Sequence, residues 1–245
     1  MFRRWSHFCF LFLLSFQLTA EEPDVLSVVS DIWPPFVTDN ANMPGVDVEV
    51  MKTVFSQLNI DVNFTVFPWK RSVSMVELGQ ADALLDVFKT QERLSLFWFA
   101  EEPISTTETA LFCVYCDHAI VVDENQLKGK TLIINRGYQY SRFGNDPNIE
   151  KFEVNSFEQG FKMLTTARAD YYLVNRTVGQ YTLNQLQLPN VTALDMKIDD
   201  PSDVYLAFHK AAELEPISLK FSEQLKLFKK TSEYRAILAK YGILH

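Results

Sequence analysis

Pro68-Trp69-Lys70-Arg71 opens a stretch that runs through Gly79-Gln80-Ala81-Asp82-Ala83-Leu84-Leu85 and Lys89-Thr90-Gln91-Glu92-Arg93 to Phe99-Ala100-Glu101-Glu102-Pro103. Arg71 to Leu78 reads as a helix stopped by Gly79. Ala83 to Val87 is a short apolar strand, and the polar residues after it form a turn. Working back from this unit, Val25 to Ser30 is a β-rich apolar run. It is broken by Pro34-Pro35, which force an extended loop. Gly45 closes that loop, and Val46, Val50, Val54 and Leu58 recur at helical spacing, predicting a helix from about Asp47 to Leu58. Asp61 to Phe67 alternates polar and apolar and reads as a strand. The order strand, helix, strand, helix, strand implies a parallel α/β sheet.

The pattern then restarts. Thr131 to Ile134 is a buried strand, and Gly137-Tyr138-Gln139-Tyr140 leads into an expected helix. Phe152 to Val154 is a strand, and Ser156 to Thr166 is a helix with Phe157, Phe161 and Leu164 on one face. Asp170 to Val174 is a strand and Val178 to Leu186 a helix. A second α/β unit therefore occupies roughly 118–198. Val204 to Phe208 is a strand, and Glu213 to Tyr241 reads as two helices.

Arg3 and Arg4, the apolar run from His7 to Leu18, and Leu18-Thr19-Ala20 have the pattern of a secretory signal peptide, with cleavage expected after Ala20. The competing reading, a membrane anchor, needs about 20 apolar residues, more than this run supplies. The chain has 245 residues, 23 basic and 31 acidic, for a net charge of −8; loss of Arg3 and Arg4 with residues 1–20 brings it to −10. That balance argues against nucleic acid or an anionic membrane surface as partner. Two cysteines remain, Cys113 and Cys116. In an oxidising compartment the pair reads as a local structural disulfide or two inert thiols. Redox chemistry would favour a helix N-terminus, whereas Ala110 to Tyr115 reads as a strand. Zinc with His118 lacks a second ligand pair. No cofactor or metal is expected.

In open parallel sheets, ligands bind beyond the carboxyl ends of the strands. The first strand delivers Asp31 and Trp33 there, the second Trp69, Lys70 and Arg71, and the third Asp86, Phe88 and Arg93. The second unit delivers Tyr138, Gln139 and Tyr140, then Asn175 and Arg176. All would face one cleft between two lobes, the usual place for a small-molecule site. Each has a plainer reading. Trp33 and Trp69 could simply pack, Lys70 and Arg71 could be a solvated helix start, and Arg93 could pair with Glu92 or Glu101. A basic residue at a helix N-terminus opposes the helix dipole, which favours a functional reason for Lys70 and Arg71. Arginine suits a bidentate grip on a carboxylate.

At these residues the chain resembles the extracellular solute-binding proteins of family 3, the periplasmic amino-acid-binding type that serves ABC importers. The carriers are Trp33-Pro34-Pro35-Phe36, Gly45-Val46-Asp47-Val48-Glu49-Val50, Pro68-Trp69-Lys70-Arg71, Gly79-Gln80-Ala81-Asp82-Ala83 and Thr90-Gln91-Glu92-Arg93. Leu127-Lys128-Gly129-Lys130 with Gly137, Arg168-Ala169-Asp170 and Lys240-Tyr241-Gly242 complete the set. The resemblance spans nearly the whole chain after residue 20. It implies a two-lobed periplasmic binding protein fold of type II, each lobe a mostly parallel sheet flanked by helices. Two crossing hinge segments, near 107–117 and 197–204, would join the lobes. Residues 21–110 and 205–245 would form lobe 1, and 111–204 lobe 2 with the hinges. The expected ligand contacts are Trp33, Trp69, Arg71, Asp86, Phe88, Arg93, Tyr138, Gln139 and Asn175.

Three positions depart from the family pattern. Asp86 and Phe88 stand where small hydroxyl residues are expected, and Asn175 stands where an acid holds a ligand's ammonium. The resemblance implies a non-enzymatic, monomeric periplasmic protein that captures a small polar solute by lobe closure and delivers it to an ABC transporter permease. An aromatic part on the solute would suit the surplus of rings. Two alternatives remain: an enzyme on the same fold, resembling cyclohexadienyl dehydratase, with Asp86 or Glu101 as its acid, and a sensory module that presents ligand to a receptor.

Overall fold

A computed structural model describes residues 25–116, 127–138, 140, 142–195, 198 and 200–243. The first sheet is built on β1 (Val25–Ser30), β2 (Asp61–Val66) and β3 (Ala83–Phe88), joined by α1 (Val46–Gln57) and α2 (Trp69–Glu77). β2 and β3 both run parallel to β1 and flank it. Each helix ends where its apolar period ends. α1 buries Val46, Val50 and Val54 together with Met51 and Phe55, while its polar face stays in water. Gly45 enters α1 at φ 116°, and a Cβ there would lie 2.1 Å from the Phe36 carbonyl oxygen, so no other residue fits.

After β3 the chain forms α3 (Gln91–Leu96), a short helix in the expected polar turn, capped by the Thr90 hydroxyl accepting from the Arg93 N–H at 3.3 Å. β4 (Phe97–Phe99) and β5 (Ser105–Thr107) follow. The chain then enters the second sheet through β6 (Thr109–Val114). That sheet adds β7 (Thr131–Asn135), β8 (Glu150–Val154), β9 (Tyr171–Asn175) and β10 (Val191–Ala193), in the order β10-β6-β9-β7-β8. α4 (Phe157–Thr165) and α5 (Arg176–Leu186) pack on it. The expected helix after Tyr138 is absent among the described residues, which form only a single 3-10 turn at Arg142–Gly144.

Both sheets are mixed. In each, three parallel strands hold the helices, and strands reached by the crossings run the other way. The two units also share a fastening. Asp82, just ahead of β3, accepts from the Ser27 N–H at 2.7 Å and the Ser27 hydroxyl at 2.6 Å. Asp170, just ahead of β9, accepts from the Thr131 N–H at 2.9 Å and the Thr131 hydroxyl at 3.0 Å. The Ala-Asp step in both motifs is thus a clasp between neighbouring parallel strands.

The return strand is β11 (Ser202–His209), antiparallel to β3, β4 and β5, and Thr107 lies opposite Ser202 where the two crossings pass side by side. α6 (Leu214–Phe228) and α7 (Ser232–Lys240) pack against α1, and the Tyr241 hydroxyl donates to Glu49 at 2.7 Å. Phe55, Phe208 and Phe221 meet ring to ring beneath the first sheet, and Phe112, Phe161 and Tyr172 do so beneath the second. Each fully buried aromatic contributes roughly 1.5–3 kcal/mol. Cys113 and Cys116 are bonded to each other at the end of β6, their Cα atoms 5.5 Å apart; His118 lies outside the described residues. No helix among the described residues is long and apolar enough to cross a membrane.

Candidate ligand-binding cleft

The carboxyl ends of β1, β3 and β7 converge on a cleft between the two sheets. Its inner chamber is lined by Ser30, Asp31, Trp33, Trp69, Asp86, Phe88, Arg93 and Tyr138 and leaves about 40 Å³ free. Its outer chamber, about 460 Å³, shares Asp31, Trp69 and Tyr138 and adds Lys70 and Asn135 with residues near the start of α4. The Trp69 and Tyr138 rings come from opposite lobes and meet edge to face, centroids 6.4 Å apart. Beside them Gly137, at φ 80°, lies so close to Lys70 that a Cβ would sit 2.9 Å from its Cε. The inner chamber has room for a few waters at most. A solute the size of an amino acid enters it only if these rings move.

Local hydrogen bonds hold the inner wall in place. The Ser72 hydroxyl on α2 donates to the Ser30 carbonyl at 3.0 Å, and the Ser30 hydroxyl donates to the Leu85 carbonyl at 3.0 Å. One residue later, Asp31 accepts from its neighbour Ile32 at 2.8 Å and from the backbone N–H of Trp69, the first residue of α2. Burial pushes the Asp31 carboxyl up, and these two N–H groups oppose the shift. Trp33 stacks on Phe36 at 4.7 Å and meets Phe88 edge-on at 6.4 Å.

Asp86 owes its position to a bulge. Between the pairs Leu84–Ala207 and Val87–Tyr205, β3 has two residues where β11 has one, and Asp86 sits there at φ 64°. A left-handed non-glycine residue costs roughly 1–2 kcal/mol, least for Asp and Asn. Bulges of this kind re-aim a side chain, and here the result is a carboxyl group in the cavity wall. Asp86 is 7% exposed, and no donor reaches either oxygen. Behind it stands Asp47 of α1, also buried, which accepts from the Ser105 hydroxyl at 2.6 Å. Burial, then the Asp47 charge, lifts the Asp86 carboxyl well above the usual range. Burial likewise pushes Asp47 up to about 6, opposed by its hydrogen bonds to Asp86 and Ser105 and by Lys229. The pair therefore holds its proton more tightly than free carboxyl groups do.

Arg93 is the opposite case. It is buried, its guanidinium donates to the Phe88 carbonyl at 3.2 Å and lies 5.4 Å from the Trp69 ring, and burial lowers its pKa. Among the described residues no carboxylate lies within ion-pair distance of it. Among the described residues its charge therefore meets the Phe88 carbonyl and the longer-range attraction of Glu92, with no paired carboxylate.

The structure brings Asp31, Trp33, Trp69, Asp86, Phe88, Arg93 and Tyr138 together in the inner chamber, where the strand-end rule places them, and adds Ser30. Arg71 is a correction. It is exposed with its guanidinium 4.4 Å from the Phe67 ring, because residues two apart on a helix face nearly opposite ways and Trp69 takes the inward direction. Asn175 is the second. It lines neither chamber, and its side chain caps α5 by accepting from the Val178 N–H at 3.0 Å. Tyr140 points into the second core, where its hydroxyl accepts from the Asn135 N–H at 2.8 Å. Arg176 pairs with Glu108 at 3.1 Å beside the crossing. Gln139 lies outside the described residues. Asp47, which completes the carboxyl pair, was read only as part of a helix start.

Two α/β lobes, two crossing strands and a cleft between the lobes define a periplasmic-binding-protein fold. Residues 26–243 match the family model of the bacterial extracellular solute-binding proteins, family 3, and the chain belongs to that family. No curated protein sequence matches it. Among solved structures, it is similar to an ancestral arginine-binding protein bound to arginine, at 20% identity and TM-score 0.76, covering 90% of this chain and 99% of that one. It is also similar to a histidine kinase sensor domain that resembles periplasmic binding proteins, at 19% identity and TM-score 0.77 over 89% and 95% of the two chains. A third is an ancestral amino-acid-binding protein described as a precursor of cyclohexadienyl dehydratase, at 18% identity and TM-score 0.75 over 89% and 95%. At these identities the likeness shows the fold.

Proposed function

We propose that the chain is exported to the periplasm, loses residues 1–20, and there captures a small amino-acid-like solute between its lobes for delivery to an ABC transporter permease. One observation carries this reading. Among the described residues, Arg93 is a buried guanidinium without a carboxylate in ion-pair contact, set among the aromatic walls of a cleft in a solute-binding protein. Leaving a charge buried and unpaired is costly, and a ligand carboxylate in bidentate contact relieves it. Trp33, Trp69 and Phe88 supply flat apolar surface for the rest of the solute. Tyr138 and Gly137 approach from the other lobe, so closure is favoured by contacts made only when both lobes meet the ligand.

The test is a thermal-shift screen of residues 21–245 against amino acids, oligopeptides, polyamines and aromatic acids. A ligand at a hundred times its dissociation constant adds about 2.7 kcal/mol of stability. A hit that shifts the wild type and leaves Arg93→Ala unmoved supports the reading. Equal shifts of both proteins, or none from any class, contradict it.

The enzymatic alternative has its own observation, a buried carboxyl at Asp86 in the cleft wall whose pKa is raised by burial, suited to a general acid. Turnover of prephenate or arogenate that disappears in Asp86→Asn would establish it, and absence of turnover at high enzyme concentration would exclude it for these substrates. The likeness to a kinase sensor domain raises the sensory alternative, which co-purification with a sensor kinase instead of a permease would favour.

A further inference from the structure

Two features of the cavity, and one residue outside it, are left unused by a grip on a carboxylate alone. Asp86 lies in a bulge at the chamber wall, and no donor reaches either of its buried oxygens. Asp31 lies on the same wall. Asn175, at the position where the family resemblance expects an acid from the second lobe, is engaged in capping a helix. The inner chamber thus holds its acids on the first lobe.

We propose that Asp86, backed by Asp47, is the subsite for a cationic nitrogen of the solute, and that seating this nitrogen expels a proton from the pair. The proposal rests on the solute-binding reading above and narrows it to solutes that carry an amine or guanidine as well as a carboxylate. The chemistry balances simply. The Asp86 carboxyl gives its proton to solvent, and the resulting carboxylate accepts from the incoming ammonium while Asp47 keeps its bond from Ser105. Without the cation the second negative charge is opposed by burial and by Asp47. With it, the added positive charge compensates. The groups that face the pair are few. Asp31, Tyr138 and Arg93 line the chamber together with Asp86. Lys229 at the end of α6, Tyr234 of α7 and Ser105 of β5 surround Asp47. Lys229 is itself paired with Glu102 at 3.1 Å. Tyr138 is held neutral by burial and by the nearby acids.

Three matched probes separate the terms: L-phenylalanine with both charges, 3-phenylpropionate with the carboxylate only, and phenethylamine with the ammonium only. Each is titrated calorimetrically into residues 21–245 from about pH 6 to about pH 8. Phenylalanine is expected to bind about tenfold or more tighter than 3-phenylpropionate, with affinity rising up to about tenfold per pH unit. Its binding heat is expected to differ between phosphate and Tris buffers by the ionisation of up to about one proton. In Asp86→Asn the pH slope and the buffer dependence are expected to vanish, while 3-phenylpropionate binds within about twofold of wild type. The buffer dependence needs only the wild-type protein, so it decides the matter even if the variant fails to fold. Equal affinities for phenylalanine and 3-phenylpropionate, or heats independent of buffer, overturn the amine subsite while leaving the carboxylate grip intact. Phenethylamine binding as tightly as phenylalanine overturns the carboxylate grip and leaves this subsite standing. If none of the three binds, both readings fail for aromatic amino acids.

Discussion

The two walls of the cleft are built from similar units and do different work. Each lobe has three parallel strands and an acid that clasps the strand beside it, Asp82 on Ser27 in one and Asp170 on Thr131 in the other. Yet the first lobe places Asp31, Asp86 and Arg93 in the inner chamber, and the second places Tyr138 alone. Around the second lobe's strand ends the polar groups are already engaged. Asn175 caps α5, Arg176 pairs with Glu108, and Asn135 accepts from the Tyr172 hydroxyl at 2.7 Å. A common architecture therefore places charged groups on one lobe's wall of the inner chamber and the Tyr138 ring on the other's.

The largest test of this asymmetry is the pH dependence of stability. Asp47 and Asp86 have raised pKa values in the folded protein, so the native state binds more protons than the unfolded chain above about pH 4. Stability is full below the unfolded carboxyl pKa and falls as pH rises toward the folded value. With Asp47 at about 6, raising the pH from about 4 to about 7 costs roughly 3 kcal/mol. Urea unfolding across that range is expected to show the decline in wild type and a flatter profile in Asp86→Asn. A wild-type stability that rises from pH 4 to 7 would contradict the buried pair.

Smaller effects probe the cover. Tyr138→Ala removes the ring that meets Trp69 across the lobes, and a solute found in the screen should bind about 10–30-fold more weakly, an aromatic contact plus its buried area. Gly137→Ala puts a Cβ against Lys70 at an unfavourable φ, which costs about 1 kcal/mol and should weaken the same solute several-fold without altering any group that touches it. Unchanged affinity in both variants would mean that the lobes need not meet around the ligand. Asn175→Ala is the smallest in binding. Loss of the α5 cap should cost about 1 kcal/mol of stability, with affinity unaltered.

Local periodicity made the fold legible. α1 and α4 show their apolar faces at helical spacing, and β3 is a bounded apolar run, so each was placed to within a few residues. β4, β5 and β10, three residues each, and the six-residue α3 are too short to show a period. The strand-end rule found most of the inner chamber, because an acid or aromatic just past an apolar strand is visible in one dimension. It failed at Arg71 because helical direction, not position in sequence, decides which of two near neighbours faces the cleft. Asn175 carried a readable signal, since Asn ahead of a helix is a favoured cap. The Asp47–Asp86 pair had none, because its members lie on separate elements and only the packing of α1 beneath β3 brings them together.

The most direct measurement is a side-by-side calorimetric titration of wild type, Arg93→Ala and Asn175→Ala with one solute from the screen. If the first lobe alone recognises charge, Arg93→Ala loses about a hundredfold or more in affinity, as expected when a buried ion pair loses one member, and Asn175→Ala stays within about twofold of wild type. A large loss in Asn175→Ala with little change in Arg93→Ala would move charge recognition to the second lobe and contradict the account.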